Sequence, residues 1–320
     1  MSKLSNPKAG SLQFWPRKRA EKILPSVNWN TLSDLKQKNP SLLGLIAYKV
    51  GMASAIVKDN TPDSMTKGKK LFIPVTILEA PNMKIFTVRF YKFGKAVKDI
   101  IVSTDKELKK LLKLPKEIKP LDSQIPEDYD NIRVLAYSLA KSTNIKKTPD
   151  LIELAVSGDS KEKKLEYVKS FINKEISLKD ILQFELVDIR GLTTGKGLSG
   201  PVKRFGITLK QHKTEKGRRR PGSLGPWHPA RVTFVTPMAG QLGMFSRLHY
   251  NIKIISSGNI NEKNINPLSG FKHFGKVNTS FIILKGSVQG PPKRPLLLTP
   301  SFRPTKSSSK AKFEFQELIA

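Results

Sequence analysis

Between residues 217 and 231 the chain reads GRRRPGSLGPWHPAR: three successive arginines, then glycines, prolines and one Trp–His pair. No apolar period of 2 or 3.6 runs through it, so the stretch has no face on which to fold against itself. Trp227, its largest side chain, stands between Pro226 and Pro229 in a basic surrounding. A hydrophobic core rarely takes a tryptophan in that setting, so the packing partner of this segment has to come from outside it. That requirement shapes everything else in the chain.

The charge points to what the partner is. The 320 residues hold 57 Lys or Arg against 26 Asp or Glu, a formal net charge of +31, while 38% hydrophobic content suffices for a real core in one large domain or two ordinary ones. So much self-repulsion suits a chain that lies against a polyanion, with nucleic acid the first candidate and an anionic membrane surface the second. No apolar run reaches 18 residues, no basic amphipathic helix is visible, and FWPRKRAEKILP occupies the place of a signal peptide's apolar stretch. A soluble, unexported protein without a membrane partner is expected. The absence of cysteine excludes disulfides, thiolate zinc sites and a Cys nucleophile.

The cations are unevenly spread. Residues 191–250 hold eleven Lys or Arg and one acid, Glu215, whereas residues 105–182 hold sixteen basic against fourteen acidic residues. The first segment has the charge of a binding surface; the second has that of ordinary solvated surface and is expected to add little to binding. The first 24 residues are basic too, with Lys3, Lys8, Arg17, Lys18, Arg19 and Lys22 against Glu21.

Pattern divides the chain further. Residues 1–42, with Pro7, Pro16, Pro25 and Pro40 and no sustained period, read as an extended basic arm. Residues 43–104 follow as short β-rich runs (SLLGLIAYKVGMASAIVKD, LFIPVTILEA, KIFTVRFYK, KAVKDIIVS), the first part of a barrel. At Thr104 the character changes. Thr104 and Glu107 have the spacing of a capping box before Leu108, Leu111 and Leu112, a short helix that Pro115 ends. Strands NIRVLAYSL and DLIELAVS and a helix near 160–173, with Leu165, Val168, Phe171 and Ile172 on one face, complete an inserted α/β lobe over 105–182. Residues 183–190 resume as a barrel strand, 191–250 form a long central basic loop, 251–300 hold the closing strands, and 301–320 form a tail with a serine patch at Ser307–Ser309. Pairing of early with late strands closes one barrel around the inserted lobe, giving a mainly β fold with an α/β insertion.

Motifs for small-molecule chemistry fail on their own physics. Gly195, Gly197 and Gly200 satisfy G-x-G-x-x-G after the strand FELVDIR, and Glu215 stands at a plausible distance. A dinucleotide site needs the amino end of a helix there, and Pro201 followed by VKRFGITLK has no helical apolar period. A phosphate-cradling NTPase loop fails on spacing, since three residues separate Gly191 from Gly195 before Lys196, and Gly197 takes the Ser/Thr position. His212, His228, His249 and His273 have no metal-ligand spacing, and no G-x-S-x-G marks a nucleophilic serine. No cofactor, metal or small-molecule substrate is expected. What the glycines offer is close backbone approach to phosphates, with Lys196, Lys203 and Arg204 as countercharge. Arg218, Arg219 and Arg220 suit bidentate phosphate contact and Trp227 gives a face for base stacking, against the plainer reading of a solvated charged loop.

Three stretches, DIRGLTTGKGLSGPVKRFG, KGRRRPGSLGPWHPARV and MAGQLGMFSRLHYN, closely resemble the signature region of the universal large-subunit ribosomal protein family L-three. GSLQFWPRKRA and GLIAYKVGM resemble its archaeal and eukaryotic branch, most closely the archaeal type, and SFIILKGSVQGPPKR matches its closing strand and turn. The resemblance covers nearly the whole chain. It implies a six-stranded translation-protein-like β-barrel with an inserted α/β lobe, an amino-terminal arm, and a central loop whose tip approaches the peptidyl-transferase centre. It also implies a structural, non-enzymatic role: cytoplasmic, ribosome-bound, a primary rRNA binder early in subunit assembly, with large-subunit rRNA and neighbouring ribosomal proteins as partners. The family's W-x-P tip falls on Trp227, with His228 and Pro229 beside it. The expected RNA-binding residues are Trp15, Arg17, Lys18 and Arg19 in the arm and Lys196, Lys203, Arg204, Lys210, His212, Lys213, Lys216, Arg218, Arg219, Arg220, Trp227, His228, Arg231, Gln241 and Arg247 in the loop. The chain departs from the family at Gln13, where a small residue is expected, and in lacking the long tail of eukaryotic members, whose contacts are not carried over. A nucleic-acid-modifying enzyme with a basic channel is the alternative, but one acid among eleven cations is poor material for acid–base or metal catalysis.

Overall fold

The computed structural model describes residues 14–33 and 40–319. Lys3, Lys8 and Gln13, with the start of the expected arm, lie outside the described residues. A short helix, α1 (Trp29–Ser33), precedes strands β1 (Leu45–Asp59), β2 (Lys70–Ala80), β3 (Met83–Lys92) and β4 (Lys95–Ile101). β5 (Asn131–Ser138) and β6 (Leu151–Ala155) are followed by helices α2 (Lys161–Ser170) and α3 (Leu178–Ile181). β7 (Leu186–Leu192) enters a long segment with only β8 (Leu198–Ser199), α4 (Pro201–Phe205) and β9 (Gly240–Gln241), from which β10 (Ser246–Asn259) returns. β11 (Ser280–Lys285), β12 (Pro295–Pro300), α5 (Lys306–Lys310) and β13 (Phe313–Ile319) complete a mainly β chain.

The chain divides into two compact units, Leu24–Gly191 with Leu248–Ala320, and Met1–Ile23 with Leu192–Arg247. In the first, the strands of the larger sheet run in the order β12-β7-β10-β11-β2-β1-β13, and a further β1–β12 pairing joins the first strand of that order to the sixth, so that six of them close on themselves. β1 serves three partners. Its buried first half pairs with β12 (Leu45 with Leu298, Tyr48 with Pro295) and its alternating second half with β13 (Asp59 with Phe313), while β2 runs alongside most of it. Closure leaves no free edge on those six strands, which removes the hazard of unpaired backbone.

A separate four-stranded sheet has the order β4-β3-β5-β6. KIFTVRFYK and KAVKDIIVS, expected in the barrel, belong here: β3 pairs with β5 from Met83–Ser138 to Tyr91–Asn131. The boundary between the sheets therefore falls between Ala80 and Met83, and not at Thr104. Strand-like pattern marks both runs, but the partner that captures them is 40 or more residues away, beyond what local pattern encodes. The helix expected after Thr104 is a 3-10 turn, Lys106–Lys110, led by Asp105 without a side-chain cap. Asp105 is engaged elsewhere, accepting from Tyr137 Oη at 2.5 Å and from Lys84 Nζ at 3.2 Å. α2 keeps the expected face, with Val168 buried and Leu165, Phe171 and Ile172 packed against the core.

Two segments expected to be loose are built in. Within the arm, Leu24, Trp29 and Leu32 are buried. A Cβ on Gly44 would sit 2.6 Å from Leu154, 3.2 Å from Trp29 and 3.4 Å from Leu297, so both sheets and α1 converge on a position only glycine fits. In the tail, Thr305 caps α5 through the Ser308 amide, and β13 pairs with β1. Two buried charges fasten the strands around the long segment. Asp188 on β7 accepts from the Asn251 amide at 2.8 Å and the Phe302 amide at 3.2 Å, and Lys49 on β1 donates to the carbonyls of Val288 and Gly290, fixing the GSVQGPPKR turn.

Candidate nucleic-acid interface

The second unit is built from its base upward. β8 and β9 pair antiparallel, Leu198 with Gln241 and Ser199 with Gly240. Around that short ladder the Thr193 amide donates to Phe245 O, Lys196 to Leu242 O, and Leu242 back to Gly197 O, at 2.9–3.0 Å. The crossing at Gly243 is closest: with φ +75°, a Cβ there would lie 2.0 Å from Thr194 O. Only glycine satisfies both the left-handed backbone and the missing volume.

A helix does follow the G-x-G-x-x-G glycines, contrary to the sequence expectation: Gly200 is the N-cap of α4 and Gly206, in the left-handed region, its C-cap. It is one turn of five residues whose first, Pro201, has no amide proton. That is too little helix to hold a pyrophosphate. Its work is mechanical. Arg204 aims its guanidinium back across the base, Nε donating to Gln241 O at 3.0 Å, Nη1 to Met238 O at 3.0 Å and Nη2 to Arg17 O at 3.1 Å. Arg17 answers with Nη1 to Arg204 O at 2.6 Å. Burial first, and then the Arg17 charge, hold the Arg204 guanidinium below its usual pKa. Gly240 leaves room for this group, since a Cβ there would meet Arg204 Nη1 at 2.8 Å and push the guanidinium aside.

The arm docks on this base. Trp15 stacks on Phe205 with ring centroids 5.6 Å apart and meets Phe234 edge-on at 6.1 Å, Arg17 lies over Phe205 at 4.3 Å, and the Ala20 amide donates to Met244 O. Next to it, Arg247 spans Phe14 at 4.3 Å and Phe245 at 5.2 Å, in a cleft of about 440 Å³ lined by residues 14–21 and 245–247. Burial, and then Arg17, lower the Arg247 pKa also. Phe14 and Phe245 were not among the residues expected from the sequence; the FWPRKR run holds the first, but nothing local marks its pairing with Arg247.

Beyond the base, regular structure stops. From Gly206 to Ala239 the chain has neither helix nor strand, and most of its residues from 211 to 234 are exposed. The bonds that shape it are short-range: the Lys210 amide to Arg218 O, Arg218 Nε to Lys210 O, and Thr236 Oγ1 to Leu224 O. Trp227 is 87% exposed and Phe234 77%. Lys18, Arg19, Lys196, Lys203, His212, Lys213, Lys216, Arg218, Arg219, Arg220, His228 and Arg231 are exposed as well, while Trp15, Arg17, Arg204, Lys210, Gln241 and Arg247 are half-buried. Gln241 donates through Nε2 to the carbonyls of Leu242 and Gly243. The expected residues thus separate into exposed cations with Trp227 and His228, and a half-buried set, of which Trp15, Arg17, Arg204 and Gln241 brace the base. Among the described residues, none of the exposed cations of this unit forms an ion pair with a carboxylate, no metal-ligating cluster of His, Asp or Glu occurs, and no helix is long and apolar enough to cross a membrane.

A cation-rich loop without a core of its own, tied at its base by a backbone ladder and a guanidinium, is the anatomy of a surface that meets a polyanion. Comparison with known proteins says which of them the chain resembles. The family model described as Ribosomal protein L3 matches residues 1–112 and 93–318. Large ribosomal subunit protein uL3 of Methanocaldococcus jannaschii is 35% identical over 319 residues, covering 94% of this chain and 92% of its own length. That of Methanococcus aeolicus is 37% identical over 316 residues, covering 94% and 92%. The chain belongs to the ribosomal protein L3 family, is of the archaeal type, and is a structural constituent of the large ribosomal subunit.

Proposed function

We propose that residues 192–247 and the adjoining arm are threaded into large-subunit rRNA, and that the tip around Trp227 reaches toward the peptidyl-transferase centre. The closed six strands are then the family's translation-protein-like barrel and the four-stranded sheet the core of its inserted lobe. The protein binds rRNA directly and early in subunit assembly, catalyses nothing, and touches neighbouring ribosomal proteins. The single observation that carries this reading is the 87% exposure of Trp227 at the end of an unpaired cationic loop. An indole left in water is an unused stacking face, and unpaired arginines are unused phosphate contacts. The prolines on either side limit the entropy lost when the loop is fixed between RNA helices.

Assembly and tip function separate under mutation. Losing one stacking aromatic costs on the order of 1–3 kcal/mol at that contact, small beside the phosphate contacts of the whole chain. Trp227→Ala is expected to enter subunits at near-normal occupancy and to alter aminoacyl-tRNA binding or peptide-bond formation. Arg218, Arg219 and Arg220 all changed to Glu replaces three attractions by three repulsions and is expected to impair incorporation itself. With each variant as the sole copy, mass spectrometry of mature subunits reads occupancy and translation assays read function. Exclusion of Trp227→Ala as severe as that of the triple reversal, or its incorporation with translation unchanged, refutes the assignment.

A further inference from the structure

The α/β lobe has an almost balanced charge in sequence, sixteen basic residues against fourteen acidic over 105–182, but its charges are segregated in space. Among the described residues, five of its acids and Asp99 on the strand beside it are taken up by basic partners. Asp105 is held by Tyr137 and Lys84, Asp99 by Arg89 at 2.6 Å, Glu153 by Arg133 at 3.6 Å and Arg89 at 3.9 Å, Asp128 by Lys92, Asp122 by Lys169, and Asp150 by Lys146. What remains is a cleft of about 640 Å³ lined by Lys106, Lys110, Lys141 and Lys147, with Lys146 and Glu107 also on its wall. Lys106, Lys110, Lys141 and Lys147 are all exposed, and among the described residues none of them forms an ion pair.

Local structure holds these charges together. In the 3-10 turn Lys106–Lys110, Leu108 is buried against Phe86 and Tyr137, which leaves Lys106 and Lys110 outward. On the other wall the 3-10 turn Ala140–Thr143 anchors through its buried ends and is closed by Asn144 in the left-handed region, with the Asn144 amide donating to Lys141 O. Four like charges around one concavity repel, and no carboxylate but Glu107 faces them. Such an arrangement is relieved by a bound polyanion. The ligand class follows from the side chains: lysine ammonium groups are point charges without the planar fork of arginine, and no aromatic lines the cleft, so it suits phosphodiester oxygens and reads no base.

We propose that this lysine cleft is a second RNA-docking site, on the lobe, which takes a stretch of ribonucleic-acid backbone through its phosphates. It is distinct from the basic loop, and its four cations come from two turns about 30 residues apart in sequence.

Two measurements test it. In the first, the unmodified protein is labelled with an amine-reactive reagent, free and in purified large subunits, before and after ribonuclease digestion. Lys106, Lys110, Lys141 and Lys147 are expected to be protected in subunits and to regain reactivity after digestion, with Lys116 and Lys163, exposed on the same lobe outside the cleft, as internal references. Full reactivity in intact subunits overturns the proposal, and protection that survives digestion overturns it in favour of an acidic protein partner. In the second, the full chain with Lys106, Lys110, Lys141 and Lys147 changed to Gln is compared with one carrying Lys116, Lys119, Lys163 and Lys174 changed to Gln, an equal loss of charge on the same lobe. Each phosphate contact adds about 0.7–0.9 to the slope of log affinity against log salt for large-subunit rRNA, so loss of two contacts lowers the slope by about 1.4–1.8. The cleft variant is expected to lose that much and the control variant much less. Equal slopes in the two variants refute a docked site. A flat salt response of the wild-type chain refutes the loop reading as well, whereas equal variants with a steep wild-type slope refute the cleft alone.

Discussion

Replacing Arg204 by Met keeps the stem that packs in the base and deletes the guanidinium. In the native structure that group satisfies the carbonyls of Gln241, Met238 and Arg17, at 3.0, 3.0 and 3.1 Å, and so ties β9, the end of the loop and the arm to α4. Hydrogen bonds to a charged donor contribute about 1.5–3 kcal/mol each, and they are not additive when one group makes all three. Arg204 is half-buried, so solvent weakens them further and water can reach part of what it leaves behind. An overall loss of about 3 kcal/mol is expected, confined to this unit. At about 1.4 kcal/mol per decade, local opening becomes roughly 100-fold more frequent. Hydrogen exchange of the free protein followed by mass spectrometry reads that directly. Peptides containing Ala20, Lys196 and Leu242, whose amides bond across the base, should exchange about two decades faster, while those from β2 and β11 should not change. Arg204→Lys should recover only a small part of the protection, because one ammonium cannot span three carbonyls fixed in different directions. Exchange within a few-fold of wild type in the Met variant would show that the backbone ladder alone holds the loop, and the bracing role assigned to Arg204 would be wrong.

Three further substitutions probe the frame. Gly243→Ala forces a side chain into a left-handed residue with its Cβ 2.0 Å from Thr194 O, whereas Gly197→Ala, at φ +62° with open space around it, meets strain alone; the first should destabilise the base by about 2 kcal/mol or more and the second by about 1, read as protease sensitivity of residues 192–247. Glu79, fully buried on β2, accepts from the amides of Asn278 and Thr279 through Oε1 while Oε2 has no partner, and burial raises its pKa above the usual carboxylate value. A carboxyl with a raised folded pKa binds its proton more tightly in the folded state, so its contribution is complete below the ordinary value near 4.5 and lost as pH rises through the raised one. Glu79→Gln, which keeps the acceptor and stays neutral, should therefore gain stability relative to wild type between pH 4 and pH 8 in thermal unfolding; a constant difference across that range would show that Glu79 does not titrate there.

Much of this architecture was legible because strands write their period into the chain. FELVDIR, SFIILKGSV and the alternating half of β1 fall where pattern put them. Partnership was not legible: β3 and β4 have the same local signature as β1 and β2, yet they share a separate sheet with β5 and β6, joined through the β3–β5 pairing. Prolines drew the arm as wholly extended and hid Leu24, Trp29 and Leu32, although Trp29 and Leu32 have helical spacing. β13 carries a strand alternation, FEFQELI, masked by the serines and lysines before it. The site divides similarly. Exposure of Trp227 and of the arginines follows from a segment with no period, but that Arg204 and Trp15 serve the base depends on contacts across nearly 190 residues of sequence. The lysine cleft was invisible for another reason: a net charge summed along sequence cancels acids and bases that the fold keeps apart.

The loop, on the function proposed above, finds its missing packing partner in RNA. A high-resolution density map of the assembled large subunit containing this chain tests it most directly. In that map the indole of Trp227 is expected in van der Waals contact with an rRNA nucleotide, and the Arg218, Arg219 and Arg220 guanidinium groups within hydrogen-bond reach of phosphate oxygens. A map in which the segment from Gly206 to Ala239 lies in solvent, or packs on protein alone, would contradict it.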